Sequence, residues 1–293
     1  MRALVTGGSG FLGSHVADAA SARGFAVRLL DVVPSPWRTP VQEQVVADVR
    51  DEDAVAAAMA DCDVVLHLAA VADLGAANID PARAEDVNVG GTRNVLSAAA
   101  RHGVRRVVHA SSIYVHARAG GAYRDSKRRA ERLVLDARDA GLPTTVLRFG
   151  SLYGPRADAG NAVRRILTQA LAEGRIDFWG DGTEVREYVH VLDAAGLALD
   201  ALDDAHAGAV LHLTGRQRVT TRELLDLVAE MVGDVDVTLQ DRPFEGRYRL
   251  TPYALDDDPV ELGRTLSGAT AIDLGPGLLH TLHALRAELA DAT

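Results

Sequence analysis

The chain has 293 residues, 47% of them apolar and 25% charged, which is the mix of a globular protein with a sizeable core. Its net charge of −10 argues against general binding to nucleic acid or membrane surfaces, so an anionic substrate would need local arginines to hold it. The single cysteine, Cys62, excludes an intramolecular disulfide and reads as a packed residue just before a strand. No uncharged run approaches the roughly 18 residues of a membrane span, and the chain opens directly into a strand at Arg2–Thr6, so the expected location is the cytoplasm.

The first half alternates short apolar runs with longer helical patterns. Strands are expected at Ala3–Thr6, Ala26–Leu30, Val45–Ala47, Val64–Leu68, Val107–Ala110 and Thr145–Phe149. Helices are expected between them at Gly13–Arg23, Asp53–Met59, Val87–His102 and Tyr123–Ala140. Continuously apolar strands alternating with helices imply an α/β fold with a doubly wound parallel Rossmann sheet. Past Tyr153 the rhythm weakens, with helices at Asn161–Glu173, Asp193–Leu202, Thr221–Val232, Asp256–Leu262 and Leu279–Leu289, and a turn at Gly180–Gly182. The expected division is a sheet domain over residues 1–155 and a smaller, interleaved C-terminal lobe over residues 156–293. A strand around residues 210–214 can return from that lobe to the main sheet.

The first strand runs into Gly7-Gly8-Ser9-Gly10-Phe11-Leu12-Gly13, and a helix follows. Gly7 permits a tight turn, Gly10 lets the backbone approach a pyrophosphate, and Gly13 lets the helix pack close to the strand. The helix N-terminus then offers free N–H groups to phosphates. Asp31 ends the second strand, where a carboxylate can accept both hydroxyls of an adenine ribose and repel a 2′-phosphate. The cofactor expected is therefore NAD rather than NADP. Asp48 follows the next strand, as a partner for the adenine amino group or as a plain helix N-cap.

Tyr123 and Lys127 stand four apart at a helix start, on one face. A free phenol titrates near 10, too high for a base at neutral pH. A neighbouring ammonium and a positive nicotinamide ring would both favour phenolate, so a lowered Tyr123 is expected. Ser111-Ser112 closes the strand at Val107–Ala110, on the carboxyl edge where α/β folds bind ligands, and Ser112 can orient a substrate hydroxyl near Tyr123. His67 and His109 flank strands and read as packed side chains, and no cluster has metal-ligand spacing.

Together these segments resemble an extended short-chain dehydrogenase/reductase of the NAD-dependent epimerase/dehydratase family, nearest the nucleotide-sugar 4-epimerases. The matching stretches also include His67-Leu68-Ala69-Ala70, Asn88-Val89-Gly90-Gly91-Thr92, Leu147-Arg148-Phe149, Tyr153-Gly154-Pro155 and Gly180–Asp193. The resemblance implies a catalytic set of Ser112, Tyr123 and Lys127. It implies that NAD is lined by Gly7, Gly10, Phe11, Leu12, Gly13, Asp31, Asp48, Val49, Leu68, Ala69, Ala70, Asn88 and Phe149, with Tyr123 and Lys127. Asn88 would support the active-site helix. A nucleotide sugar, a UDP-sugar first, would meet Ser112, Ser151 and Arg186, with Arg242 preferred over Arg247 as a second arginine. A guanidinium grips phosphate oxygens in a fork, which suits Arg186. His190 is expected to hold the two lobes together, and pairing of Val87–His102 and Tyr123–Ala140 would make a homodimer.

Four departures bear on the reaction. Only residues 113–122 separate Ser112 from Tyr123, a shorter loop than sugar epimerases carry. Ser151 stands where the family has Asn, and Arg124 where it has Gly or Ala. Arg124 could meet an anionic substrate group or face solvent. Ile113-Tyr114 follows Ser112, where the family's 4,6-dehydratases carry an Asp-Glu pair and its glucuronate decarboxylases a Glu. The resemblance thus implies an NAD-dependent nucleotide-sugar epimerase that works through a 4-keto intermediate. The alternatives are a nucleotide-sugar or keto-sugar oxidoreductase with net redox, and a non-catalytic NAD(H)-binding regulator.

Overall fold

The alternation read in the sequence becomes a parallel sheet because its central strands, Val64–His67 and Arg106–Ser112, are buried along their whole length. In the computed structural model, which describes residues 1–118, 120–240, 249–252, 261–266 and 272–291, the chain begins with β1 (Arg2–Thr6), α1 (Phe11–Ala22), β2 (Ala26–Asp31), β3 (Glu43–Val46), α2 (Glu52–Met59) and β4 (Val64–His67). Two short helices follow, α3 (Leu74–Ile79) and α4 (Pro81–Glu85). A π-helical turn (Asp86–Gly90) then leads into α5 (Gly91–His102). Next come β5 (Arg106–Ser112), a 3₁₀ turn (Ile113–His116), α6 (Gly121–Asp139), β6 (Thr144–Phe149) and β7 (Ser151–Tyr153). The remainder comprises α7 (Ala162–Glu173), β8 (Arg175–Trp179), β9 (Val185–His190), α8 (Val191–Asp200), β10 (Val210–Leu213) and β11 (Arg218–Thr220). It closes with α9 (Thr221–Val232), β12 (Asp236–Gln240), β13 (Arg264–Thr265) and α10 (Leu274–Asp291).

Eight strands form the main sheet in the order β13-β10-β6-β5-β4-β1-β2-β3, and every pair is parallel. This is the doubly wound Rossmann fold expected. Alternate residues face opposite sides. Val5, Leu29, Leu66, Val108 and Leu211 pack with α1 and α8, while Leu4, Leu30, Val65, Val107 and Val146 pack with α2, α5 and α6. Strand order reverses between β1 and β4, which opens a crevice at their carboxyl ends, the place where such sheets bind ligands. Two smaller sheets, β11-β9-β7 and β12-β8, lie in the second half, and α7, α9 and α10 share a separate apolar cluster there with Tyr153 and Ile176.

Several expectations need adjusting. The helix expected from Val87 starts inside the π turn, and α5 proper begins at Gly91. Asp48 is not the N-cap of α2: Asp51 is, its carboxylate accepting from Ala54 N at 3.0 Å. The Asp48 carboxylate pairs with Arg50 at 2.6 Å instead. Of the helix expected at Asp256–Leu262, only Glu261 and Leu262 are described, and neither is helical. Cys62 is buried. Among the described residues, no helix is long and apolar enough to cross a membrane.

Candidate active site

The crevice begins at the glycine turn. Gly7 adopts φ of +70°, and a Cβ there would lie 2.8 Å from Ala69 N. A Cβ on Gly13 would overlap the Gly7 carbonyl oxygen and stand 2.9 Å from Gly8 Cα. Both positions are closed to any side chain, and the turn stays a bare backbone cradle followed directly by Phe11 and Leu12 at the start of α1. Asp31 closes one end of this cradle, its Oδ2 accepting from Ser9 N at 2.9 Å. These residues fit a dinucleotide: amides for a pyrophosphate, a carboxylate for a ribose, and no bulk between them. Val49 is buried against Gly91, whose Cβ would stand 2.7 Å from Val49 Cγ2.

A continuous set of hydrogen bonds ties this cradle to the catalytic helix. Leu68 N and Ala69 N, just past β4 and before Ala70, both donate to Thr6 Oγ1 at 3.2 Å. The Thr6 hydroxyl lies 2.8 Å from His67 Nδ1, and His67 Nε2 lies 2.9 Å from Thr92 Oγ1. Thr92 already donates its hydroxyl proton to Asn88 O at 2.6 Å. The tautomer follows: His67 donates from Nε2 and accepts at Nδ1. Asn88 accepts from Val71 N at 2.8 Å and donates to Ser126 Oγ at 3.0 Å, and Ser126 donates to Tyr123 O at 3.0 Å. Asn88 thus braces the helix that carries Tyr123, from a π turn of the kind found at functional sites. Asn78 on α3 adds a second brace by accepting from Ala122 N at 3.0 Å.

Ser112, Tyr123 and Lys127 come together at the carboxyl end of β5, all three nearly buried. Ser112 caps the 3₁₀ turn, its Oγ accepting from Tyr114 N at 3.3 Å, and its hydroxyl hydrogen-bonds the Tyr123 phenol. Lys127 Nζ donates to Ala110 O at 3.0 Å. Phe149 is paired with Ser112 across β5 and β6. Burial pushes the Tyr123 phenol up to about 12, while the Ser112 hydrogen bond pulls the other way. The expected lowering is therefore reversed among the protein's own groups: desolvation of a phenolate outweighs the help on hand, and Lys127 spends a proton on a backbone carbonyl. Lys127 itself is pulled down to about 8 by burial, with Glu131 opposing.

Ser151 and Arg186 occupy neighbouring strands of the smaller sheet, Ser151 being in register with Tyr188 on β9. On the main edge, the Tyr114 ring meets Tyr123 edge-on at 5.8 Å. Arg186 donates to Val185 O at 2.8 Å. Arg242 and Arg247 lie outside the described residues. Arg124 does not turn to solvent: its Nη1 donates to Ala117 O at 2.9 Å and Arg118 O at 2.8 Å, and its Nε to Asp125 Oδ1 at 2.9 Å. His190 caps α8, accepting from Leu192 N at 3.2 Å, and stacks on His280 of α10. His109 is buried, and among the described residues neither ring nitrogen has a hydrogen-bond partner. Thr6, Asn78 and Ser126 went unread in the sequence. Of these, Ser126 had a signal, since a serine three residues after Tyr123 can bond back to its carbonyl.

Comparison with known proteins agrees with this geometry. The model of the NAD dependent epimerase/dehydratase family matches residues 3–213. The chain is 31% identical over 287 residues to a dTDP-glucose 4,6-dehydratase of Streptomyces antibioticus, covering 87% of this chain and 84% of that one. It is 27% identical over 286 residues to a UDP-N-acetyl-alpha-D-glucosaminuronate decarboxylase of Bacillus cytotoxicus, covering 88% and 87%. Among solved structures, the UDP-glucose 4-epimerase of Thermotoga maritima with UDP-glucose superposes with a TM-score of 0.87 at 26% identity, covering 99% of this chain and 100% of that one. The cradle, the catalytic cluster and the family match agree, and the chain belongs to the NAD-dependent epimerase/dehydratase family of enzymes.

Proposed function

We propose that this enzyme inverts C4 of a nucleotide sugar, a UDP-sugar in the first instance, through a 4-keto intermediate. One observation carries the choice among the family's reactions. Ile113 and Tyr114 occupy the 3₁₀ turn directly after Ser112, and the Tyr114 ring meets Tyr123 edge-on at 5.8 Å. Eliminating water across C5 and C6 needs a further acid and base beside the sugar, and the two residues that follow Ser112 in this turn offer no carboxylate.

NAD, held by Gly7–Gly13 and Asp31, supplies a reversible hydride acceptor and a positive ring that favours phenolate. Tyr123 takes the proton from the C4 hydroxyl and later returns it. Ser112 orients that oxygen, and Lys127 keeps a positive charge one helical turn from the phenol. Arg186 grips the diphosphate while the sugar ring turns over, with Ser151 and Arg242 as further substrate contacts. The shared groove of α5 and α6, lined by Leu96, Ala100, Val104, Leu133, Ala137 and Leu142, supports a homodimer formed through these helices.

The test is incubation with a panel of nucleotide sugars and NAD, followed by chromatography of the products and absorbance at the reduced cofactor band. Interconverted 4-epimers without accumulating NADH support the reading. Stoichiometric NADH would mean a net oxidoreductase, and a product lighter by water or carbon dioxide would mean elimination or decarboxylation.

A further inference from the structure

Behind the catalytic groups lies a second polar cluster that the proposed chemistry does not use. Glu131 on α6 and Arg148 on β6 form an ion pair with neither side chain exposed. Glu131 Oε2 also accepts from Ser111 Oγ at 2.6 Å and from Arg148 Nε at 3.2 Å. On its far side, Arg148 Nη1 lies 3.0 Å from His116 Nε2 and 3.2 Å from His212 Nε2. A guanidinium only donates, so both rings are held as acceptors.

Three of the partners sit on elements of the site, and the fourth, His212, lies on β10. Ser111 precedes Ser112, His116 ends the 3₁₀ turn that Ser112 caps, and Glu131 follows Lys127 by one helical turn. Apolar side chains could fasten these elements without the cost of desolvating an ion pair. What they could not supply is a fixed negative charge beside Lys127. Arg148 pairs with Glu131 and Ser111 donates to it, although Glu131 is fully buried. The other groups around Lys127 carry no compensating charge: Tyr123 is a phenol, the Ala110 carbonyl is neutral, and burial holds His67 and His109 well below neutrality.

We propose that Glu131, paired with Arg148 and hydrogen-bonded by Ser111, is a positioning residue that holds Lys127 protonated for its partnership with Tyr123. This rests on the acid/base roles given to Tyr123 and Lys127 above. Geometry carries it, and the balance of forces agrees in direction: burial draws the ammonium down and Glu131 draws it back. Lys127 is thereby poised where a modest loss of negative charge would leave it neutral at working pH.

The test reads Lys127 without turnover. The NAD-loaded protein is trace-labelled with acetic anhydride across pH 6–11, and acetylation of Lys127 is followed by peptide mass spectrometry. Glu131→Gln keeps the shape but not the charge, and its Lys127 midpoint should fall by at least ~1 pH unit, a tenfold smaller protonated fraction on the alkaline side. Glu131→Asp restores the charge and should return the midpoint to within about half a unit of wild type. If Glu131→Gln fails to fold with Arg148 uncompensated, the double variant Glu131→Gln/Arg148→Met removes both charges and should show a smaller fall in the same direction. In each variant the alkaline limb of kcat/KM should move with the labelling midpoint. Unmoved midpoints in the Gln and double variants, with activity lost equally at all pH, would overturn the proposal. Labelling is indifferent to which sugar is turned over, so a wrong substrate assignment would leave its result intact.

Discussion

Gly13 packs against the carbonyl oxygen of Gly7 so closely that a Cβ at residue 13 would overlap it. The contact sets how near α1 approaches β1, and hence where the first helical amides point. Gly13→Ala should weaken NAD binding at least tenfold, as read by titration calorimetry. Gly275→Ala, where a Cβ meets nothing within 4 Å, should bind NAD like the wild type.

Tyr123 hydrogen-bonds Ser112 through its phenol oxygen, which a phenylalanine lacks. Tyr123→Phe should therefore leave NAD affinity within about twofold while turnover falls by a factor of roughly 100 or more, the scale of lost acid–base catalysis. Near-normal turnover in this variant would remove Tyr123 from the reaction.

Arg124 gathers the Ala117 and Arg118 carbonyls under one guanidinium nitrogen and so organises a loop that lacks the length to organise itself. Arg124→Ala should cost about 1–3 kcal/mol in a urea titration, the scale of two ordinary hydrogen bonds. It should also raise KM for the sugar nucleotide more than it lowers kcat, because the loop borders Ser112 and not the reacting oxygen. An unchanged KM would mean that the loop takes no part in holding substrate.

His67 is buried and neutral, drawn down to about 3 by desolvation from an ordinary value near 6.5. Between those values the unfolded chain binds a proton that the folded chain refuses, so stability is full above about pH 6.5 and declines as pH falls toward 3. A shift of that size corresponds to on the order of 5 kcal/mol. His109 contributes in the same direction. Urea midpoints measured at pH 7.5 and pH 5 should differ clearly in the wild type and less in His67→Asn.

Much of this was legible in the residues themselves. The central strands of the first half announce themselves because both faces are buried, which leaves apolar runs such as Val64–His67. The glycine turn, Asp31 and the Tyr123–Lys127 spacing were readable because each is local. Elements governed by distant partners were not. The short helices α3 and α4 carry little apolar periodicity, yet α3 supplies Asn78 to the start of α6. Strands β8 and β12 find each other from opposite ends of the second half. Arg148 looks like any residue in a Leu-Arg-Phe strand until Glu131 is found opposite it. Arg124 was weighed between substrate and solvent, because nothing in its neighbourhood announced that a shortened loop would fold back onto it. The direction of the Tyr123 shift was misjudged because spacing reveals a neighbouring ammonium but not how dry the pocket is.

The placement of β10 between β6 and β13 bears on how the protein is made. A nascent chain that has emerged only as far as β7 exposes one flank of β6 with its amides and carbonyls unpaired. Val210–Leu213 must leave the ribosome before that flank is covered, and Arg264–Thr265 must follow to extend it. The nucleotide-binding half cannot finish as an autonomous early product. A fragment ending near residue 155 should accumulate as aggregate, seeded at that raw edge.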